Sequence, residues 1–408
     1  ATAIGTIFAH GTRHHAAPAT WRLQAFEAFE AGREAAVEAG DQRAESYALG
    51  YIGGLYLDEE RHREALDYSR QATFLAQLSE SPEGLYLWQW QIAKALRALG
   101  DTDGAVAAYR QSIATLNQIK GSLVSGSTES FRERVGPVFF ELADLLLENV
   151  ASVEDPAQVE RDLRAVRDTI EQVKVAEVQE YFNNSCMIGS GSSEEVESVA
   201  SGAAIIYPIL FQDRVELLVS LPSGLKRYRS EVGLNELTRE VRLFRRGIER
   251  YDGRNSYLDQ GQRLYRWLIE PVIDDLEAEN IDTLVMVPDG PLRTIPLSSL
   301  HDGERFMIER FAFATTPGLT LTDPQPLQRE NVETLAVGLT QAVQGFSALP
   351  NVAAELDNIS GLFPATTYRD EEFRGEQIEA DIAQGDYSIV HVATHGQFDS
   401  DHTRSFLL

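Results

Sequence analysis

The chain has 408 residues, 43% of them hydrophobic, and a formal net charge of −27. At about 150 residues per domain this length predicts two or three domains, and the apolar content excludes wholesale disorder. The acidic excess disfavours nucleic acid and anionic lipid as partners, no apolar run reaches the roughly 18 residues of a membrane span, and a single cysteine, Cys186, excludes a disulfide framework and a Cys-rich zinc site.

One cysteine suits a reducing, cytoplasmic setting. The chain opens at Ala1 without a basic-then-apolar leader, so an export signal lost upstream stays an open alternative. Its last residues, Ser405, Phe406, Leu407 and Leu408, read as the start of a strand, and the sequence reads as a piece of something longer.

Residues 1–150 are rich in Ala, Leu, Glu, Gln and Arg at helical spacing. A repeat with a 40-residue period underlies them. Gly53, Tyr56, Ala65 and Ala72 fall on Ala93, Leu96, Ala105 and Ser112, and a fainter copy sets Ala25 and Phe29 over Ala65 and Ser69. Small residues at these places let antiparallel helices approach closely. The spacing resembles the tetratricopeptide repeat, with longer helices than the family norm of about 34 residues per repeat. Residues 151–200 read as a helical connector, then a flexible linker at Gly189, Ser190, Gly191, Ser192 and Ser193.

Residues 201–325 change character. Strands are predicted at 203–211 and 215–221, forming a hairpin, then helices at 234–250 and 257–277. A short strand at 283–287 closes on the turn Pro288-Asp289-Gly290. From 326 to 408 the order is strand (334–339), helix (352–363), strand (366–368), helix (374–383), strand (388–393). This βαβαβ order implies a parallel sheet, whose chemistry gathers at the carboxyl ends of its strands.

The segment His391-Val392-Ala393-Thr394-His395-Gly396 brings a histidine to such an end, with a glycine next. A histidine moves protons near neutral pH, and a following backbone N–H can hold an oxyanion. On the bare pattern a structural histidine remains the commoner reading. The segment His391 to Phe398 resembles the histidine motif of the CHAT domain, a caspase-like module commonly fused to tetratricopeptide repeats. Val287 to Leu297, Leu300 to Gly303, Thr316 to Leu321, Gln344 to Pro350, and Tyr181-Phe182 running up to Cys186 are also similar to that family.

The resemblance covers about 175–408. It implies a helical solenoid followed by an α/β caspase-like domain with a mainly parallel sheet, incomplete at its C-terminus. It also implies a regulated cysteine endopeptidase whose repeats recognise a protein or peptide. His395 matches the catalytic histidine and Gly396 the oxyanion-hole glycine. The family's nucleophile is a cysteine on the next long strand, so a C-terminal continuation is expected to supply it, and the 408-residue chain alone is expected to be inactive. The alternative is a non-catalytic scaffold or protein-binding module.

Other residues carry weaker signals. Cys186 precedes His395, whereas the family order is His then Cys, so it reads as a small hydrophobe rather than a nucleophile. His391 reads as a buried histidine bonded to a backbone carbonyl, with a second proton carrier as the alternative. His10, His14 and His15 lack companion ligands, so no metal is expected, and no cofactor either. Of Trp88 and Trp90, one is expected to pack inside the repeats and the other to reach their edge. Arg242, Arg245, Arg246 and Arg250 read as a solvated or carboxylate-paired stripe, with a phosphate site as the alternative. Asp370, Glu371 and Glu372 read as a solvated loop, with a pocket for basic side chains as the alternative. No Gly-rich loop ending in Lys-Ser/Thr occurs, which disfavours nucleotide hydrolysis.

Overall fold

The computed structural model describes residues 19–124, 131–151, 153–181, 202–250, 255, 257–321, 332–385, 387–397 and 406–408. His10, His14, His15, Cys186, the linker at 189–193 and Phe398 lie outside the described residues. The chain divides into two compact units, the second consisting of 181–184 and everything from 323 onward.

In the first unit, helices α1 (Ala19–Ala39), α2 (Gln42–Asp58), α3 (His62–Leu78), α4 (Pro82–Ala98) and α5 (Thr102–Val124) pack each on the next. Their turns share one stop. Gly40, Glu60, Glu80 and Gly100 have positive φ. The residue after each donates to a carbonyl five places back: Asp41 to Ala36, Arg61 to Tyr56, Ser81 to Ala76 and Asp101 to Leu96, at 2.9–3.0 Å. This is the left-handed Schellman stop that satisfies orphan helix carbonyls. Its recurrence at 40, 60, 80 and 100 is the structural form of the 40-residue period.

The small-residue register holds. Ala25, Phe29, Ala65, Ser69, Ala72, Ala93, Ala105 and Ser112 are fully buried. A Cβ on Gly53 would stand 2.8 Å from Ser69 Oγ and 3.3 Å from the Ala65 carbonyl, so α2 and α3 touch through that glycine. Trp88 is buried between helices and donates to Ser46 Oγ at 3.0 Å, while the half-buried Trp90 donates to Glu141 Oε2 at 2.6 Å.

A short turn of helix, α6 (Phe131–Arg134), leads into α7 (Gly136–Val150) and α8 (Pro156–Tyr181). A five-stranded sheet follows, in the order β3-β2-β1-β4-β5, from β1 (Ala203–Leu210), β2 (Val215–Leu221), β3 (Gly224–Ser230), β4 (Thr283–Met286) and β5 (Ala312–Thr315). The first three strands form an antiparallel meander, and β4 and β5 join β1 in parallel. Strand β3 is absent from the sequence reading because Lys226, Arg227 and Arg229 mask its alternation. The expected helix 257–277 is two helices, α10 (Leu258–Leu268) and α11 (Ile273–Ala278). They are split by a 3-10 turn at Pro271, which has no N–H to give the helix ladder. The preceding helix, α9 (Leu234–Arg250), falls where expected, and its Arg242, Arg245, Arg246 and Arg250 are exposed, with Arg245 paired to Glu249 at 2.7 Å.

The sheet is covered on both faces, so β1 is a continuous apolar run. Ile205, Tyr207 and Ile209 enter a core shared with α7 and α8, while Ala204, Ile206 and Leu210 enter a second core with α9 and α10. Charge also ties the helices to the sheet. Arg132 grips the fully buried Asp289 with two hydrogen bonds of 2.8 and 2.7 Å and holds Glu177 at 2.9 Å. Lys174 on α8 donates to the carbonyls of Pro288 (2.9 Å) and Val287 (3.3 Å), and Glu171 accepts from the N–H and hydroxyl of Thr320 at 3.0 and 2.8 Å. The turn Pro288-Asp289-Gly290 is thus clamped by helical side chains. Burial alone would raise the Asp289 carboxyl, but the hydrogen bonds from Arg132 and the charge of Lys174 bring it down to about 2. Burial pushes the Lys174 ammonium down to about 8, with Asp289 at 4.0 Å opposing that shift.

The second unit holds a parallel sheet in the order β7-β6-β8, from β6 (Thr334–Gly338), β7 (Ala365–Arg369) and β8 (Ile389–Ala393). Helices α12 (Val352–Leu362) and α13 (Gly375–Gln384) are the crossovers, giving the expected βαβαβ order. Ala336 and Ala393 pack on Val352 and Leu356 of α12. A Cβ on Gly338 would lie 2.6 Å from Val352 Cγ1 and 2.7 Å from the Ala393 carbonyl, so this glycine sets how closely α12 and β8 approach β6. Two short strands, β9 (Gly396–Gln397) and β10 (Phe406–Leu407), pair antiparallel.

Candidate functional site

The parallel register ends all three strands of the second sheet together, since Gly338 stands opposite both Arg369 and Ala393. His395 follows two residues after β8, at this carboxyl end, and is half-buried. Among the described residues β8 is an outer strand and β6 the central one, because the second crossover carries the chain past β6 to its free side.

His395 is held from the loop after β6. Its Nε2 lies 2.7 Å from the Ser347 carbonyl, and its ring lies 5.2 Å from that of Phe346. A carbonyl only accepts, so Nε2 carries the hydrogen and a neutral ring keeps its lone pair on Nδ1. The loop reaches His395 through a turn in which Gln344 and Gly345 take positive φ and Val343 bridges to Phe346. The sequence reading included this segment only as a resemblance. Nothing in it singled out Ser347, because the group at work is a backbone carbonyl.

Gly396 belongs to the β9–β10 ladder. Leu408 N donates to the His395 carbonyl at 3.0 Å, which makes that pair the hydrogen-bonded one. The next pair, Gly396 with Leu407, is then non-hydrogen-bonded, and the Gly396 N–H points away from β10. It is not consumed by the ladder. Thr394 Oγ1 donates to the Leu408 carbonyl at 2.9 Å, closing this short ribbon against the end of β8.

Of the neighbouring readings, that of His391 is corrected, and that of the 370–372 run holds for Glu371 and Glu372 but not for Asp370. His391 is neither buried nor bonded to a carbonyl. It faces α12 with its side chain 32% exposed and its Nε2 3.0 Å from Glu355 Oε1. Asp370 has positive φ and is spent on structure. Its carboxylate accepts from the Thr340 N–H and hydroxyl, both at 2.7 Å, and from the Gln341 N–H at 3.1 Å. The Thr340 bonds hold its carboxyl below the usual range. Glu371 and Glu372 are exposed. A cavity of about 330 Å³ opens at the same end of the sheet, lined by Leu349, Pro350, Val352, Glu355, Val392 and Thr394 among others.

Residues 258–408 match the family model of the CHAT domain. The chain carries a CHAT domain. CHAT is a caspase-like family, and the matched residues include the parallel sheet of the second unit. The matched residues begin at α10, whereas β1, β2 and β3 lie upstream yet complete the sheet to which β4 and β5 of the CHAT domain belong. The N-terminal region up to α8 is helical among the described residues, consistent with tetratricopeptide-like repeats. No curated protein matches the chain. Among the described residues no three His, Cys, Asp or Glu side chains are grouped to hold a metal ion, and no helix is long and apolar enough to cross a membrane.

Proposed function

We propose that the chain is the repeat and histidine-bearing part of a regulated cysteine endopeptidase, with His395 as its proton carrier. One observation carries the reading most: the Ser347 carbonyl fixes Nε2–H of His395 and leaves Nδ1 to take a proton. Gly396, its N–H directed away from β10, is suited to receive the oxyanion of a tetrahedral intermediate. A thiolate would attack the scissile carbonyl, and His395 would return a proton to the leaving amine. No cysteine follows His395 in this sequence, so the nucleophile is assigned to a C-terminal continuation. The helical repeats are assigned to protein or peptide recognition, and a reducing, cytoplasmic compartment suits a thiolate enzyme with one other cysteine.

The test is to express the 408-residue chain with and without native polypeptide after Leu408 and to assay both on a denatured protein mixture. The longer form is expected to cleave, and His395→Ala to lower that rate by roughly 10⁴-fold or more. The shorter form is expected to be inactive. Robust cleavage by the shorter form that survives Cys186→Ala would sink the assignment. Inactivity of both forms would leave the binding-module reading.

A further inference from the structure

The cavity beside His395 contains one formal charge. Its lining residues are Leu349, Pro350, Asn351, Val352, Glu355, Val392, Ala393 and Thr394, and Glu355 alone among them is ionisable. Leu349, Pro350, Val352 and Val392 supply apolar walls suited to a methylene stem. Glu355 puts a carboxylate on the wall formed by α12. One oxygen, Oε1, is engaged by His391 Nε2 at 3.0 Å, and the other has no donor among the described residues. The cavity borders the reacting end of the sheet directly. Thr394 lines it and precedes His395, and Leu349 lies two residues beyond Ser347, which holds the His395 ring.

We propose that this cavity is a subsite for a cationic side chain, arginine or lysine, of a bound peptide, and that Glu355 is the residue that selects it. The inference rests on the proposed function only for the identity of the ligand as a peptide. A long aliphatic stem with a terminal cation matches apolar walls and one carboxylate, whereas an acidic side chain would meet like charge. The chain's net charge of −27 favours approach of the same class of ligand. His391 competes for the carboxylate as an internal partner. Removing Glu355 and removing His391 should therefore move the preference in opposite directions, which a merely structural role for the pair would not do.

The experiment measures binding, which needs no nucleophile. Fluorescein-labelled Ala-Ala-X-Ala peptides, with X as Arg, Lys, norleucine or Glu, are titrated by anisotropy into the full 408-residue chain at one pH. Arg and Lys peptides are expected to bind roughly fivefold more tightly than norleucine, the factor that a partly exposed ion pair of about 1 kcal/mol supplies. The Glu peptide should bind least. Glu355→Gln should abolish the preference, and His391→Gln should widen it. The double variant Glu371→Gln, Glu372→Gln should keep it. Equal affinity for Arg and norleucine, a preference that survives Glu355→Gln, or no binding of any peptide would overturn the proposal. A cation preference in a protein whose longer form never cleaves would overturn the peptidase reading alone. Cleavage by the longer form without a cation preference would overturn the subsite alone.

Discussion

The two sheets of this protein solve opposite problems. The five-stranded sheet is buried on both faces, and the charged groups that enter its surroundings are matched. Arg132, Lys174 and Arg293 surround Asp289, and Arg214 and Arg227 surround the fully buried Glu216 at 2.7–2.8 Å. The three-stranded sheet leaves Val390 and Val392 of β8 43% and 40% exposed, and α13 has no buried residue. Its histidines keep partial contact with solvent, as proton exchange requires. Rigid, charge-saturated packing characterises the region that joins repeats to sheet, and open packing characterises the region that carries the candidate chemistry.

The comparison breaks most sharply at its ion pairs. Arg132→Ala leaves the Asp289 carboxylate buried without its two-pronged partner, and loss of one member of a buried pair costs about 3–5 kcal/mol. Arg369→Ala in the second sheet removes an exposed pair with Asp357, worth about 0–1 kcal/mol. Calorimetry on the full chain should show a large downward shift of one transition for the first variant and almost none for the second. Equal shifts would mean that the clamp at Asp289 carries no special weight.

The same contrast decides what was legible in the sequence. The βαβαβ order was, because each strand is a short apolar run between amphipathic helices and turn residues. The 40-residue period was also legible through Ala65, Ala105 and their neighbours. Its stops were only half so. Gly40 and Gly100 announce a left-handed residue, whereas Glu60 and Glu80 take the same conformation without a composition signal. The clamp was not legible at all. Arg132, Lys174 and Asp289 are separated by long stretches of sequence, and each alone reads as an ordinary surface charge. His395 was legible as a residue, but its orienting partner was a carbonyl, which every residue has.

Proton linkage sharpens the comparison further. An unfolded lysine titrates near 10.4, and folded Lys174 near 8, because burial disfavours its charge. Between those values the unfolded chain binds more protons than the folded one, so stability rises with pH, by at most about 1.4 kcal/mol per pH unit. Below pH 8 the cost of burying the ammonium is borne in full. Asp289 has the opposite sign. Its folded value of about 2 lies below the ordinary aspartate value near 3.9, so its contribution is complete above that value and is lost as pH falls toward 2. Chemical denaturation from pH 8 to 10 should show the rise in the parent and a flatter profile in Lys174→Met. A parent profile no steeper than the variant's would contradict the assignment of the shift to Lys174.

The smallest expected effect is also the cleanest statement of the difference, because one substitution serves both sheets. Val219 on β2 is fully buried in the core with α9 and α10, whereas Val390 on β8 is 43% exposed. Threonine keeps the β-branched shape and strand preference of valine and replaces a methyl by a hydroxyl. At position 219 that hydroxyl enters a core lined by Leu217, Val241 and Phe244 neighbours of the same cluster, with no polar partner among its apolar members, and the cost is about 1–3 kcal/mol. At position 390 the hydroxyl meets water, and the change should stay within about 0.5 kcal/mol. A measurable loss from Val390→Thr would show that the outer face of β8 is covered in solution. That result would move the open packing of this sheet from a property of the fold to a property of what binds it.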